Sequence, residues 1–193
     1  MNNAPANYWQ AFKEHFNRAI DSQSVADLLA AWVSPRERTK WYKGVILPIV
    51  ASEMRFRKGD EIFTVDYVFS KDIEGESVPM VFIESENQTN DADQEIRKLC
   101  SLHAHLKVLI TCYEWASFKD KDYIGKWGKI IGSHQAARSQ DDVIGIVVAE
   151  NENDRKFNFY SAAFSAGQLT ERPGLFCTKM ENCGSAGRTC TCT

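Results

Sequence analysis

The chain has 193 residues, 44% of them hydrophobic and 25% charged, the composition of an ordinary globular domain with room for one sizeable core. A formal net charge of −3 gives no global attraction for nucleic acid or anionic membrane, so a polyanion must be met by a local basic patch or through bound cations. No stretch approaches the roughly 20 apolar residues that span a bilayer, and MNNAPANYWQAF has neither part of a secretory signal; the expectation is a cytoplasmic protein with reduced thiols and no membrane partner.

Tyr8, Phe12, Phe16 and Ile20 repeat at helical spacing, and Val25, Leu28, Leu29 and Trp32 continue after a break near Asp21–Ser24. Two packed helices over residues 1–33 are expected to flank the rest. Ser34-Pro35 opens a third helix, with a stripe of Trp41, Val45, Ile46 and Ile49. Pro48 falls inside that stripe and should kink the helix or end it. Glu53 stands where the helix gives way to an extended segment.

Lys58-Gly59-Asp60 reads as a turn, followed by a strand, EIFTVDYVFS, over 61–70. Alternation puts Asp66 on one face with Ile62, Thr64 and Val68, a lone acid in an apolar strand. KDIEGES is a polar turn. The next strand, Val78 to Glu86, puts Met80, Phe82, Glu84 and Glu86 on a common face. A helix then carries Ile96, Leu99 and Cys100 on one side and Lys98 on another. The apolar run LKVLITC after it suggests a central strand covered on both faces.

Residues 119–138 hold a weaker helical pattern, and VIGIVVA and KFNFYSAAF read as a hairpin. From Gln168 onward no core pattern is visible. Cys177, Cys183, Cys190 and Cys192 crowd the end, but their spacing is poor for a structural zinc site, so a flexible thiol-bearing tail is expected. The organisation is a helical flank over 1–33, a core over 34–167 and a tail over 168–193. The fold class is α/β (α+β), a mixed central sheet with helices on both sides.

If the strands bearing Asp66 and Glu84 pair, their carboxylates come to one rim. Two or three hard oxygens at one point suit Mg²⁺ or Mn²⁺, and a nearby lysine would steady charge developing on a phosphoryl group. Asp66, then Glu84-Ser85-Glu86 at the end of an apolar strand, then a helix and another apolar strand, resembles the PD-(D/E)XK nuclease superfamily over residues 40 to 115. The resemblance implies a restriction-endonuclease-like core of helix, three strands, helix and strand, and metal-dependent cleavage of phosphodiester bonds. It implies Asp66 and Glu84 as metal ligands, with Glu53 as an additional acid. The position of the motif lysine holds Glu86, and Lys98 on the following helix is the candidate for the displaced amine.

Each acid also has a structural reading. Asp66 can pair with Arg55 or Arg57, and Lys98 with Glu95 three residues before it. Basic residues cluster at Arg36, Arg38, Lys40 and Lys43 and again at Arg55 and Arg57, and Arg55, Arg57, Lys40 and Lys43 are candidates for phosphate contacts. The expected function is a Mg²⁺-dependent nuclease acting on DNA rather than RNA. The alternative is a non-catalytic binding or regulatory domain on a degenerate nuclease fold. A homodimer is left open.

Overall fold

The computed structural model describes residues 5–62, 64–87, 92–138 and 142–181. Helices α1 (Pro5–Asp21) and α2 (Val25–Trp32) form the expected flank. Ser24 divides them with a capping box: its hydroxyl accepts from the Asp27 N–H, and Asp27 accepts from the Ser24 N–H. Helix α3 (Pro35–Trp41) is capped by Ser34.

Pro48 has a different effect from the one its position predicts. The chain widens into a π turn over Tyr42–Ile46, then resumes as α4 (Leu47–Glu53) with Pro48 in its first turn. A proline ring in an unbroken α-helix would clash with the carbonyl four residues back and leave it unbonded. The i to i−5 bond from Leu47 N to Tyr42 O relieves that conflict.

Seven strands follow in one sheet whose spatial order is the chain order. They are β1 (Arg57–Ile62), β2 (Val65–Ile73), β3 (Glu76–Glu86), β4 (Leu106–Cys112), β5 (Val143–Asn151), β6 (Lys156–Ser165) and β7 (Gln168–Met180). β1, β2 and β3 form an antiparallel meander, β3, β4 and β5 run parallel, and β5, β6 and β7 form a second meander. Helix α5 (Ala92–Ser101) connects β3 to β4, and helices α6 (Trp115–Asp120) and α7 (Tyr123–Arg138) connect β4 to β5. A parallel pair needs such a crossover. The fold is therefore mixed α/β with helices on both faces. Among the described residues no helix is long and apolar enough to cross a membrane.

Two expected boundaries move. Lys58-Gly59-Asp60 lies inside β1, where Gly59 pairs with Val68, and the chain reverses after Ile62, with Thr64 at φ 62°. Glycine is tolerated there because β1 is an edge strand with one partner. The expected tail begins instead as β7, hydrogen-bonded along β6. Pro173-Gly174 breaks the alternation that would have revealed it, and register slips around Ser161–Ala163 absorb the break. Cys177 is buried in the core, while Cys183, Cys190 and Cys192 lie outside the described residues.

Strand alternation divides the core into two layers. Leu106, Val108 and Ile110 of β4 pack with α1–α4, and Leu109 packs with α5–α7. On the first layer Trp9 lies over Gly145 of β5, where an added Cβ would come within 2.3 Å of its ring. The indole N–H donates to Glu171 at 2.9 Å, Lys13 reaches the same carboxylate at 2.5 Å, and Ser161 donates to its other oxygen. This cluster fastens α1 across β5, β6 and β7.

On the other layer Lys107 of β4 is completely buried. Its amine donates to Leu102 O at 2.8 Å, just past α5, and pairs with Asp142. Gln135 of α7 donates to the Asp142 carboxylate at 2.8 Å and accepts from Gly167 N at 2.6 Å. The network ties the end of α5 to the starts of β4 and β5.

Two substitutions test this packing. Gly145→Val should cost about 1–3 kcal/mol in urea unfolding and shift the Trp9 fluorescence, because the core is already full there. Lys107→Ala should cost about 3–5 kcal/mol by leaving the buried Asp142 carboxylate unpaired, whereas Lys107→Met combined with Asp142→Leu should recover most of that loss.

Candidate functional site

The β2–β3 register pairs Tyr67 with Ile83 and Val68 with Phe82. Extending it by one residue sets Asp66 opposite Glu84, on the face covered by α5. Residues directly opposite on paired strands bring their side chains together. Ser85 N donates to Asp66 Oδ2 at 2.9 Å, which orients the Asp66 carboxylate toward the end of β3. Glu86, two residues beyond Glu84 and paired with Thr111, shares the face and is half-buried.

Glu84 is 2% exposed. Lys98 descends on it from α5, its Nζ 2.7 Å from Glu84 Oε1. The same amine lies 2.5 Å from Glu95 Oε2 and donates to Thr64 O at 3.1 Å. The Lys98–Glu84 approach is close but off the direction of a hydrogen bond, so Glu84 Oε1 is buried with no aligned donor.

Burial pushes the Glu84 carboxyl up to about 8; Lys98 pulls it down, and Asp66 and Glu95 push it further up. Desolvation outweighs the lysine because one ammonium, itself shared with Glu95, does not replace the lost water. The Lys98 amine is shifted upward: burial opposes its charge, and the contacts with Glu84 and Glu95 more than compensate.

The other sequence candidates are placed elsewhere. Glu53 ends α4 and lies 3.6 Å from His15 and 3.8 Å from Arg18, both on α1. The strand that follows starts at Arg57 opposite Ser70, so it meets β2 four residues, roughly 13 Å, from Asp66. Glu53 thus faces α1, and among the described residues no contact joins it to Asp66. Arg57 pairs with Asp72 at 2.8 Å, not with Asp66, and Lys40 pairs with Glu37 at 2.7 Å. Arg55 occupies the turn after α4, at φ 61°, and Lys43 the π turn. Arg57, opposite Ser70, lies on the same face of the sheet as Asp66 but four residues along it.

Arg38 is the basic residue tied to the end of β3. Its Nε donates to Asn87 Oδ1 at 2.8 Å, and its guanidinium lies over Trp32. The only sign of this in the sequence is an arginine within a basic cluster, which says nothing of a partner 49 residues away.

Beyond β3, the parallel strands β4 and β5 end around a cleft of about 510 Å³ lined by Trp32, Cys112, Tyr113, Glu114, Glu150 and Glu152. Glu150 is held by Trp115 N at 2.8 Å and by Tyr160 Oη at 3.0 Å, with Trp115 and Tyr160 stacked 4.0 Å apart. Open α/β sheets bind ligands outside the carboxyl ends of parallel strands, where this cleft lies, but Asp66, Glu84, Glu86 and Lys98 are not among its lining residues.

Among the described residues no three His, Cys, Asp or Glu side chains gather as a metal-ligand set. The donor set at β2–β3 is two carboxylates, one of them with an oxygen that lacks an aligned donor. Two hard oxygens fit Mg²⁺ or Mn²⁺, which takes one or two carboxylates and fills its remaining positions with water and phosphate. A divalent charge would also offset the burial that keeps Glu84 protonated.

No family model matches the chain, and no curated protein matches it. Among solved structures it is similar to the central domain of yeast acetyl-CoA carboxylase, at 9% identity and a TM-score of 0.40. The match covers 86% of this chain and 34% of that one, so this chain spans about a third of its length. A likeness that weak carries no argument about fold or activity.

The raised Glu84 carboxyl has a measurable consequence. Between pH 4.5 and about 8 the folded state holds a proton on Glu84 that the unfolded chain has released. Stability from this group therefore falls as pH rises through that window and levels off above it. The melting temperature of Glu84→Gln should gain on that of the unaltered protein from pH 5 to pH 8, with no further gain from 8 to 9. A constant difference across the range would show that Glu84 is not shifted.

Proposed function

We propose that this protein is a Mg²⁺-dependent nuclease of the PD-(D/E)XK type, hydrolysing phosphodiester bonds in DNA in preference to RNA. The observation that carries the reading is the meeting of three groups at one point. Asp66 and Glu84 oppose each other on adjacent strands, and Lys98 Nζ lies 2.7 Å from Glu84. Two further observations support it: Asp66 and Glu84 share a face, and Arg57 pairs with Asp72 rather than with Asp66, although Lys98 is also paired with Glu95.

The element order supports the same reading. A helical segment, three strands, a helix and a strand succeed one another from α3 to β4, the order implied by the family. The family's lysine position holds Glu86, and Lys98 brings its amine to Glu84 from the next helix.

Asp66 and Glu84 would hold the ion. An Mg²⁺ ion held there would supply Lewis acidity toward phosphoryl oxygens and toward water. Lys98 presents an ammonium to the charge that develops as the P–O bond to water forms and the P–O bond to the sugar breaks. The water's proton leaves to solvent or to the departing oxygen. Glu86, on the same face, assists at the entrance. A cytoplasmic setting is part of the proposal.

Calorimetry with Mn²⁺, together with cleavage of plasmid and single-stranded DNA, tests this. The unaltered protein should bind the ion and cut DNA. Asp66→Ala and Glu84→Ala should each weaken binding at least about tenfold, and Lys98→Ala should keep binding while cleavage falls about 100-fold or more. Absence of ion binding by the unaltered protein would leave a non-catalytic binding domain on the same fold.

A further inference from the structure

Lys98 is held by more than the carboxylate it would serve beside. Its Nζ forms ion pairs with Glu84 Oε1 at 2.7 Å and Glu95 Oε2 at 2.5 Å and donates a hydrogen bond to Thr64 O at 3.1 Å. Glu95 and Lys98 stand three residues apart on α5, so they share a helix face and meet without any tertiary requirement. Thr64 stands two residues before Asp66, and its left-handed backbone, φ 62°, belongs to the turn that presents its carbonyl. The Lys107 network fixes the far end of α5 through Leu102 O.

This arrangement poses a problem for any divalent ion at Glu84. The ion and the ammonium are both positive and compete for one buried carboxylate. With Glu84 as its only anion, Lys98 would be driven to solvent whenever the ion binds. An amine that has left the site cannot stabilise charge on a phosphate.

We infer that Glu95 is a positioning residue, which keeps the Lys98 ammonium beside Glu84 when a divalent cation occupies the Asp66–Glu84 pair. Glu95 acts through Lys98 and does not hold the ion. Its Oε2 is turned toward the amine and buried from solvent. Thr64 O provides a second, uncharged anchor. This role rests on the nuclease reading and deepens it: α5 supplies the displaced lysine together with the carboxylate that retains it.

The test uses the full chain as unaltered protein, Glu95→Gln, Lys98→Ala and the double variant. Lys98 acetylation by limiting acetic anhydride is followed by peptide mass spectrometry, with the other lysines as internal reference and with Mg²⁺ absent or saturating. In Glu95→Gln with Mg²⁺, Lys98 should be labelled about tenfold faster than in the unaltered protein with Mg²⁺. Mn²⁺ affinity by calorimetry should change less than about threefold, kcat for DNA cleavage should fall about 10- to 100-fold and KM should stay within about twofold. Glu95→Gln should add nothing to Lys98→Ala.

Unchanged labelling of Lys98 in Glu95→Gln, with ion binding intact, overturns the positioning role and leaves the nuclease reading standing. Loss of ion binding in Glu95→Gln makes Glu95 a ligand and also overturns it. No ion binding by the unaltered protein removes the nuclease reading and the role of Glu95 with it.

Discussion

A carboxyl group held 2% exposed inside a sheet needs a counter-charge or a proton, and Glu84 sets the terms for everything around it. Lys98 supplies half of an answer. It approaches from α5 but is shared with Glu95, and burial still drives Glu84 toward its protonated form. A residue that contributed only to stability would do better as a leucine at this position. The cost of an under-compensated acid, next to a second acid on the adjacent strand, is what makes this a candidate site.

The fold places these groups by rigid means. Asp66 and Glu84 sit on paired strands whose register is set by a hairpin turn at Glu74 and Gly75, with φ 55° and 87°, and by a one-residue shift between Phe69 and Ser70. A slip of one residue would turn one acid to the other face. Lys98 depends on α5, and α5 depends on the buried Lys107–Asp142–Gln135 network at its far end. On the opposite face Trp9, seated over Gly145, fastens the helical flank. Each acid is therefore carried by an element anchored at a distance from the chemistry.

Basic residues have a different arrangement. Arg57 and Lys40, candidates for phosphate contact by sequence, form ion pairs with Asp72 and Glu37. Exposed pairs of that kind contribute little stability and open readily, so they neither build nor exclude a polyanion surface. Arg38 is distinct because its bond to Asn87 joins α3 to the end of β3, one residue past Glu86.

Much of this architecture was legible in the chain. Helical periodicity in Tyr8–Ile20, the caps at Ser24 and Ser34, and alternation through β2 and β3 are local signals, and local physics decides them. Alternation also made Asp66 and Glu84 conspicuous as acids in apolar strands, whereas Lys98 and Glu53 were singled out through the resemblance to the nuclease superfamily. The sequence had no means of showing that Glu53 pairs with His15 and Arg18 of α1. The strand β7 was hidden because Pro173-Gly174 breaks its alternation and only pairing with β6 restores it. Lys107 passed unremarked within an apolar run, since a buried lysine is recognised only through its partners, here Leu102 and Asp142. What the sequence by itself determined was which segments are helix or strand and which acids are out of place. Which acids meet, which cation holds which anion, and which lysine is buried were decided by the tertiary structure, because burial and Coulomb energy depend on distances that exist only once the strands have paired.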